Sequence, residues 1–177
     1  MKKVILTLVA IVVWASSANA GIFNGHTVQY GYFFPDLSSP SGNADNGNYV
    51  VPTTVVNGFT GIFSLDLQSD GFTANFHADN SWTAAEFNGF RITDINGTIP
   101  DFTSFDVVSN TALSGSPELS FDADNLFVNW QGLSFTSGAI VFSVNAIPEP
   151  EIYAMLAAGL GLMGLVARRR KLQAAVA

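Results

Sequence analysis

Between Gly21 and Asn145 Val, Ile, Thr and Phe come in short runs, and Gly, Asn, Asp or Pro cut those runs at intervals of about ten residues. β-Branched and aromatic side chains suit a pleated, half-buried surface, and the breakers suit turns. The rhythm leaves no helical pattern to compete. The candidate strands are His26 to Phe34, Tyr49 to Val56, Phe59 to Leu67, Gly71 to Ala78, Phe87 to Ile95, Phe102 to Val108, Leu119 to Trp130 and Leu133 to Val144.

Phe59, Gly61, Phe63, Leu65 and Leu67 alternate with Thr60, Ile62, Ser64, Asp66 and Gln68, which puts one face on a core and the other largely in water. Asn57-Gly58, Asp70-Gly71, Asn88-Gly89 and Asn96-Gly97 supply residues suited to the positive φ of tight hairpins, and "NWQGLSF" offers a short connection between the last two strands. This spacing predicts an all-β fold, an antiparallel β-sandwich or jelly roll ahead of an open barrel. Strand order does not follow from the pattern. The chain has no cysteine, so the fold has to be held by a packed core rather than by disulfides.

Asp36 to Asn48, "DLSSPSGNADNGN", is small and polar around Leu37 and reads as a mobile surface excursion. After Asn145 the strand signal stops and prolines begin, so the β-domain is expected to span residues 21–146.

From Gly21 to Ile147 twelve acidic residues face a single basic one, Arg91, a net charge of −11. The remaining cations are Lys2, Lys3, Arg168, Arg169, Arg170 and Lys171, all near the chain ends. Such a domain repels phosphate backbones and anionic lipid, which excludes nucleic-acid binding.

Catalysis finds little to work with. His26 and His77 are the only histidines, neither in a G-x-S-x-G nor an H-E-x-x-H context. A Ser–His–Asp set would have to assemble from distant positions. A glycosidase needs two carboxylates flanking a sugar bond, and nothing in the sequence pairs Glu86 with Glu118. The expectation is a non-enzyme with no catalytic residue and no cofactor. "NADNGN" (Asn43 to Asn48) and "FDADN" (Phe121 to Asn125) cluster oxygen ligands that calcium prefers, so a structural calcium ion competes with plain Asx turns.

Trp82, Trp130, Tyr30, Tyr32 and Tyr49 suit either core packing or a stacking platform for sugar rings. Trp82, after "ADNS", is the ring expected to be exposed and the candidate glycan contact. Asn96-Gly97-Thr98 matches the glycosylation sequon, but a hairpin turn accounts for the same three residues.

The chain starts with Lys2 and Lys3, an apolar run from Val4 to Ala15 broken by Thr7, and small residues ending at Ala18-Asn19-Ala20. This reads as a secretory signal peptide, residues 1–20, cleaved between Ala20 and Gly21 with Ala18 in the small-residue exit. The competing reading, a retained anchor, meets an apolar run that is short for a bilayer.

At the other end Pro148-Glu149-Pro150 is held extended, because each proline fixes its own φ and disfavours helix at the residue before it. Ile152 to Ala167 is an apolar run of sixteen residues. As a helix it spans about 24 Å against a hydrocarbon layer of about 30 Å. Snorkelling arginines and local thinning make a span feasible, with Arg168, Arg169, Arg170 and Lys171 on the cytoplasmic side and residues 172–177 as a tail. A plain C-terminal anchor explains the run and the arginines but not the paired prolines.

Pro148 to Pro150, the aromatic Tyr153, the Gly-rich run Ala157 to Ala167 and the basic cluster Arg168 to Lys171 together resemble the PEP-CTERM sorting signal over residues 147–171. Glu151 departs from it, standing where members often carry a small polar residue. The resemblance implies sorting by exosortase, a multi-pass membrane cysteine-protease-like enzyme of Gram-negative bacteria that make exopolysaccharide and biofilm. It also implies a transient inner-membrane anchor, then delivery to the cell surface or extracellular matrix. Gly21 to Asn145, with "FNGFRITD" and "FDADNLFVNWQGLSF", resembles the β-rich passenger domains that precede this signal. The expectation is an exported, non-catalytic, structural or adhesive protein with exosortase and exopolysaccharide as partners. The alternative is a secreted carbohydrate-binding protein or a glycoside hydrolase.

Overall fold

A computed structural model describes residues 21–147 and 156–164. The signal segment with Ala18 and Ala20, the Pro148-Glu149-Pro150 motif and the Arg168 to Lys171 cluster lie outside the described residues.

In chain order the strands are β1 (Thr27–Phe33), β2 (Gly47–Val50), β3 (Thr53–Phe59), β4 (Phe63–Gln68), β5 (Gly71–Phe76) and β6 (Asn80–Ser81). They continue with β7 (Gly89–Asp94), β8 (Phe102–Asn110), β9 (Glu118–Phe121), β10 (Asn125–Asn129), β11 (Ser134–Phe135) and β12 (Gly138–Ala146). One five-stranded sheet has the order β2-β1-β7-β10-β9, the other β3-β4-β5-β12-β8, and β6 pairs with β11 in a short ribbon. Every strand pairing is antiparallel, as the strand rhythm predicts.

The two sheets share one core. On β4 Phe63, Leu65 and Leu67 are buried while Ser64, Asp66 and Gln68 face outward. The same period buries Phe72, Ala74 and Phe76 on β5, Phe90 and Ile92 on β7, and Ile140, Phe142 and Val144 on β12. Rings meet edge to face across the core: Phe63 on Trp130, just past β10, at 5.1 Å and 86°, and Phe72 on Phe90 of the facing sheet at 5.6 Å and 72°. Each such pair contributes about 0.5–1.5 kcal/mol beyond the area it buries.

Four expected strands are divided: Leu133 to Val144 splits into β11, in the short ribbon, and β12, in the second five-stranded sheet. "YVVPTTVV" breaks at Val51-Pro52, so that β2 lies in one sheet and β3 in the other; proline has no N–H to continue a ladder. Leu119 to Trp130 folds back as the β9–β10 hairpin, its turn closed by Asp122, which accepts the backbone N–H of Asp124 at 3.0 Å and of Asn125 at 2.8 Å. Phe59 to Leu67 breaks at Gly61, whose φ is +72°. The chain turns there rather than at Asn57-Gly58, because Gly58 lies within β3, where a Cβ would collide with the Phe63 ring. Gly71 and Gly89 also answer a close approach, to the carbonyls of Phe142 and Val128.

The loop expected to be a mobile excursion is instead a bonded strap. Asn46 accepts the Tyr32 N–H at 2.7 Å and donates to the Ser41 carbonyl at 2.7 Å, while the Asn43 carbonyl accepts the Thr60 N–H at 2.7 Å. It thereby ties the β1–β2 connection of one sheet to the β3–β4 turn of the other, and its Asx residues do the tying.

Both ends of the domain emerge together. Phe23 donates its N–H to the Ser69 carbonyl at 3.0 Å, Val144 to Asp70 at 3.0 Å and Ile147 to Asp101 at 3.1 Å. The strap sits at the opposite end, beyond the Phe33 end of β1. Residues 156–164 form a helix inside the expected 152–167 span, with Leu156, Leu160, Leu162 and Met163 exposed. Among the described residues no helix is long and apolar enough to cross a membrane.

Candidate functional site

The chain leaves the β-domain from an inner strand. β12 pairs with β5 on one side and β8 on the other, its register running to Ala146 opposite Phe102. Ile147 is still bonded to Asp101, and the next residue in sequence is Pro148. No spacer therefore separates the last hydrogen-bonded residue from the proline motif. The helical stretch further on contains Gly159, Gly161 and Gly164, around which nothing lies within 4 Å of a Cβ position.

Trp82 corrects the expectation of an exposed ring. It is 7% exposed and stacks on Trp130 with ring centres 5.4 Å apart and planes 8° from parallel. The polar lead-in misleads because Asn80 and Ser81 are themselves β6, paired to β11, and this ribbon turns the indole onto the core. The Trp82 N–H donates to the Leu133 carbonyl at 2.8 Å, so the backbone is held as well. A ring packed between Trp130, Phe59 and Phe135 has no free face for a sugar. Among the described residues its Nε1 has no hydrogen-bond partner. Trp130, Tyr30 and Tyr32 are fully buried, and Tyr49 is half-buried with its hydroxyl donating to the Asp45 carbonyl at 2.6 Å.

Burial pushes the Tyr30 and Tyr32 hydroxyls well above the usual tyrosine value, the bond from Trp130 to Tyr32 opposing this in part.

The two histidines stand apart. His26 Nδ1 is 2.9 Å from Thr98 Oγ1. His77 Nε2 is 3.2 Å from Ser64 Oγ at the surface, a nucleophile–base contact. Among the described residues no carboxylate bonds the other His77 nitrogen, so the orienting member of a triad is missing. Glu86 and Glu118 come to the same neighbourhood through Asn129: Glu118 is its cross-strand partner and the Glu86 carbonyl accepts its Nδ2 at 3.4 Å.

Protein donors take up carboxylates of both calcium-like stretches. Asp45 Oδ2 accepts the Asn57 backbone N–H at 3.2 Å and its Nδ2 at 3.1 Å. Slight burial would raise the Asp122 pKa, but donation from Asn125 and from the Asp124 and Asn125 N–H groups, with the nearby Arg91 charge, holds it below the usual range. Ser38, through its hydroxyl and backbone N–H, does the same for Asp36. Among the described residues no three His, Cys, Asp or Glu side chains gather to hold a metal ion.

Two surface features escaped the sequence reading. Arg91, the domain's one cation, faces outward from β7 between Gly31 and Phe127, with its guanidinium 4.9 Å from the Phe33 ring centre. On the other sheet, Asp66 takes a hydroxyl from Thr54 at 2.7 Å and an amide from Asn75 at 2.9 Å, forming a polar row across β3, β4 and β5. The Ser64, Asp66, Gln68 alternation signals the face but not its cross-strand bonds.

No curated protein and no solved structure matches the chain. A family model described as the PEP-CTERM protein-sorting motif matches residues 146–171, beginning at the last residue of β12. The chain carries a PEP-CTERM protein-sorting motif directly after its β-domain.

Proposed function

We propose that the protein is an exported, non-catalytic passenger, sorted by exosortase to the cell surface or exopolysaccharide matrix and acting there as a structural or adhesive component. The observation that carries this reading is the PEP-CTERM motif at residues 146–171. In the proposed pathway the signal peptide delivers the chain, and Ile152 to Ala167 with its basic cluster anchors it until exosortase acts. The shared position of Phe23 and Ile147 supports the geometry: an anchored domain turns the strap end, with the exposed Phe34 and Leu37, away from the membrane.

The test is replacement of Pro148, Glu149 and Pro150 by Ala in a host bearing exosortase. Membrane retention with an uncut tail is expected; normal processing and release would overturn the sorting role. The passenger needs no cofactor in this proposal, its Asx residues serving as turns and cross-links. Equal melting temperatures with and without chelator are expected.

A second reading, carbohydrate binding, draws on the polar row of Thr54, Asp66 and Asn75 rather than on Trp82. Hydroxyl and amide groups on an open sheet face suit a hydrated polysaccharide. Selective glycan binding that is lost in Asp66→Ala would favour this reading over a purely structural one.

A further inference from the structure

The domain contains five Asn-Gly pairs: Asn24-Gly25, Asn46-Gly47, Asn57-Gly58, Asn88-Gly89 and Asn96-Gly97. In such a pair the glycine backbone nitrogen can attack the asparagine carboxamide, because glycine carries no side chain to obstruct the approach. The fold treats the five differently.

Four are restrained. The Gly25 N–H is held by the Val51 carbonyl at 2.8 Å. Asn46 uses both ends of its amide, on Tyr32 and Ser41, and Gly47 begins β2. Asn57 donates to Asp45 at 3.1 Å, and Gly58 lies within β3. Asn88 is buried, accepts the Tyr32 hydroxyl at 2.8 Å and donates to the Thr83 carbonyl at 2.9 Å, and Gly89 begins β7.

Asn96-Gly97 shares its exposure and positive glycine φ with Asn24-Gly25, but lacks the hydrogen bond that holds Gly25. Ile95 to Thr98 are all exposed, Gly97 has φ of +60°, and nothing lies within 4 Å of its Cβ position. Among the described residues neither the Asn96 carboxamide nor the Gly97 N–H has a hydrogen-bond partner. The loop's flanks are nonetheless fixed. Buried Asp94 accepts the Asn96 backbone N–H at 3.1 Å and the Ile99 N–H at 2.6 Å, and Thr98 meets His26 at 2.9 Å.

We propose that Asn96 is a site of spontaneous covalent modification, converting through a cyclic imide to aspartate and isoaspartate, and that the fold confines this reaction to the Asn96-Gly97 pair. The Gly97 nitrogen gives its proton to solvent and bonds to Asn96 Cγ. The Cγ–Nδ2 bond breaks and ammonia leaves, closing a succinimide. Water then opens the ring at either carbonyl. The net change consumes one water and releases one ammonia, with no oxidant and no other reactant. A new carboxylate appears at the end where Gly21 and Ile147 emerge, and the isoaspartyl form adds a methylene to the main chain beside the Asp94 anchor.

The test incubates the full chain, purified in mild detergent, at mildly alkaline pH, both folded and denatured in urea. Peptide mapping by mass spectrometry follows the five pairs, with enzymatic isoaspartate labelling. In the folded protein the acid mass and the label should appear at Asn96 alone, and in urea at all five. Conversion of another pair at an equal rate in the folded protein, or a retained Asn96 amide there while the denatured chain converts, would overturn the proposal. Asn96→Gln should abolish the folded-state label without shifting the melting temperature; a persisting label would also overturn it.

Discussion

The Trp130 indole N–H donates to the Tyr32 hydroxyl at 2.9 Å, and that hydroxyl donates in turn to Asn88 Oδ1 at 2.8 Å, inside the core and 98 residues apart in the chain at the first step. Among the described residues the hydroxyl is the one partner of the Trp130 N–H, next to a Trp82 Nε1 that has none. Tyr32→Phe keeps the ring but leaves a buried donor and a buried acceptor unmet, which costs about 1–3 kcal/mol. For a domain of this size a melting temperature lower by roughly 3–10 °C is expected in a thermal scan. An unchanged value would mean that water or a shifted Asn88 replaces the hydroxyl.

Alkaline pH probes the same groups. Tyr30 and Tyr32 have hydroxyl pKa values raised by burial. Above the unfolded tyrosine value of about 10 the unfolded chain releases these protons while the folded chain keeps them. Their contribution is thus complete below about pH 10 and declines as pH rises through the folded values. Melting temperature measured against pH should fall above about 10, with a shallower fall in Tyr32→Phe than in the parent.

Trp82 is a structural residue by the geometry of its stack. Trp82→Ala removes the parallel partner of Trp130 and the edge contacts with Phe59 and Phe63. Deleting a buried indole typically costs about 3–5 kcal/mol, so a large drop in urea midpoint is expected. Trp82→Phe should recover part of it. A glycan-binding deficit in a Trp82→Ala protein that melts normally would contradict this assignment.

What the sequence made legible was local. The Phe63, Leu65, Leu67 period is visible within β4, and the proline motif, apolar run and basic cluster form one linear pattern that the family match covers. What it concealed depends on partners far along the chain. Trp82 reads as exposed because its neighbours are polar, yet its burial is decided by Trp130 and by a ribbon with Ser134 and Phe135. Gly58 reads as a turn, yet it lies inside a strand, where the Phe63 ring leaves no room for a Cβ. The loop from Asp36 to Asn48 reads as loose because its bonds run to Tyr32, Asn57 and Thr60, which lie outside it.

The position of β12 predicts where the chain can be cut without harm. Among the described residues every buried side chain of the shared core lies between Phe23 and Val144, and the last backbone bond of the β-domain is that of Ile147 to Asp101. A chain ending at Ile147 keeps all of these contacts, so removal of the motif and everything after it should leave the melting temperature of the β-domain unchanged. β12 itself is a different matter, because it pairs on both sides and contributes Ile140, Phe142 and Val144. A chain ending at Ser137 strips β5 and β8 of their shared neighbour and exposes the faces of Phe72 and Phe105 that pack on Phe142, and it should lose cooperative unfolding altogether. If the chain ending at Ile147 melted several degrees lower, the C-terminal segment would have to support the domain directly. Equal melting is what a passenger requires if exosortase processing is to release it folded.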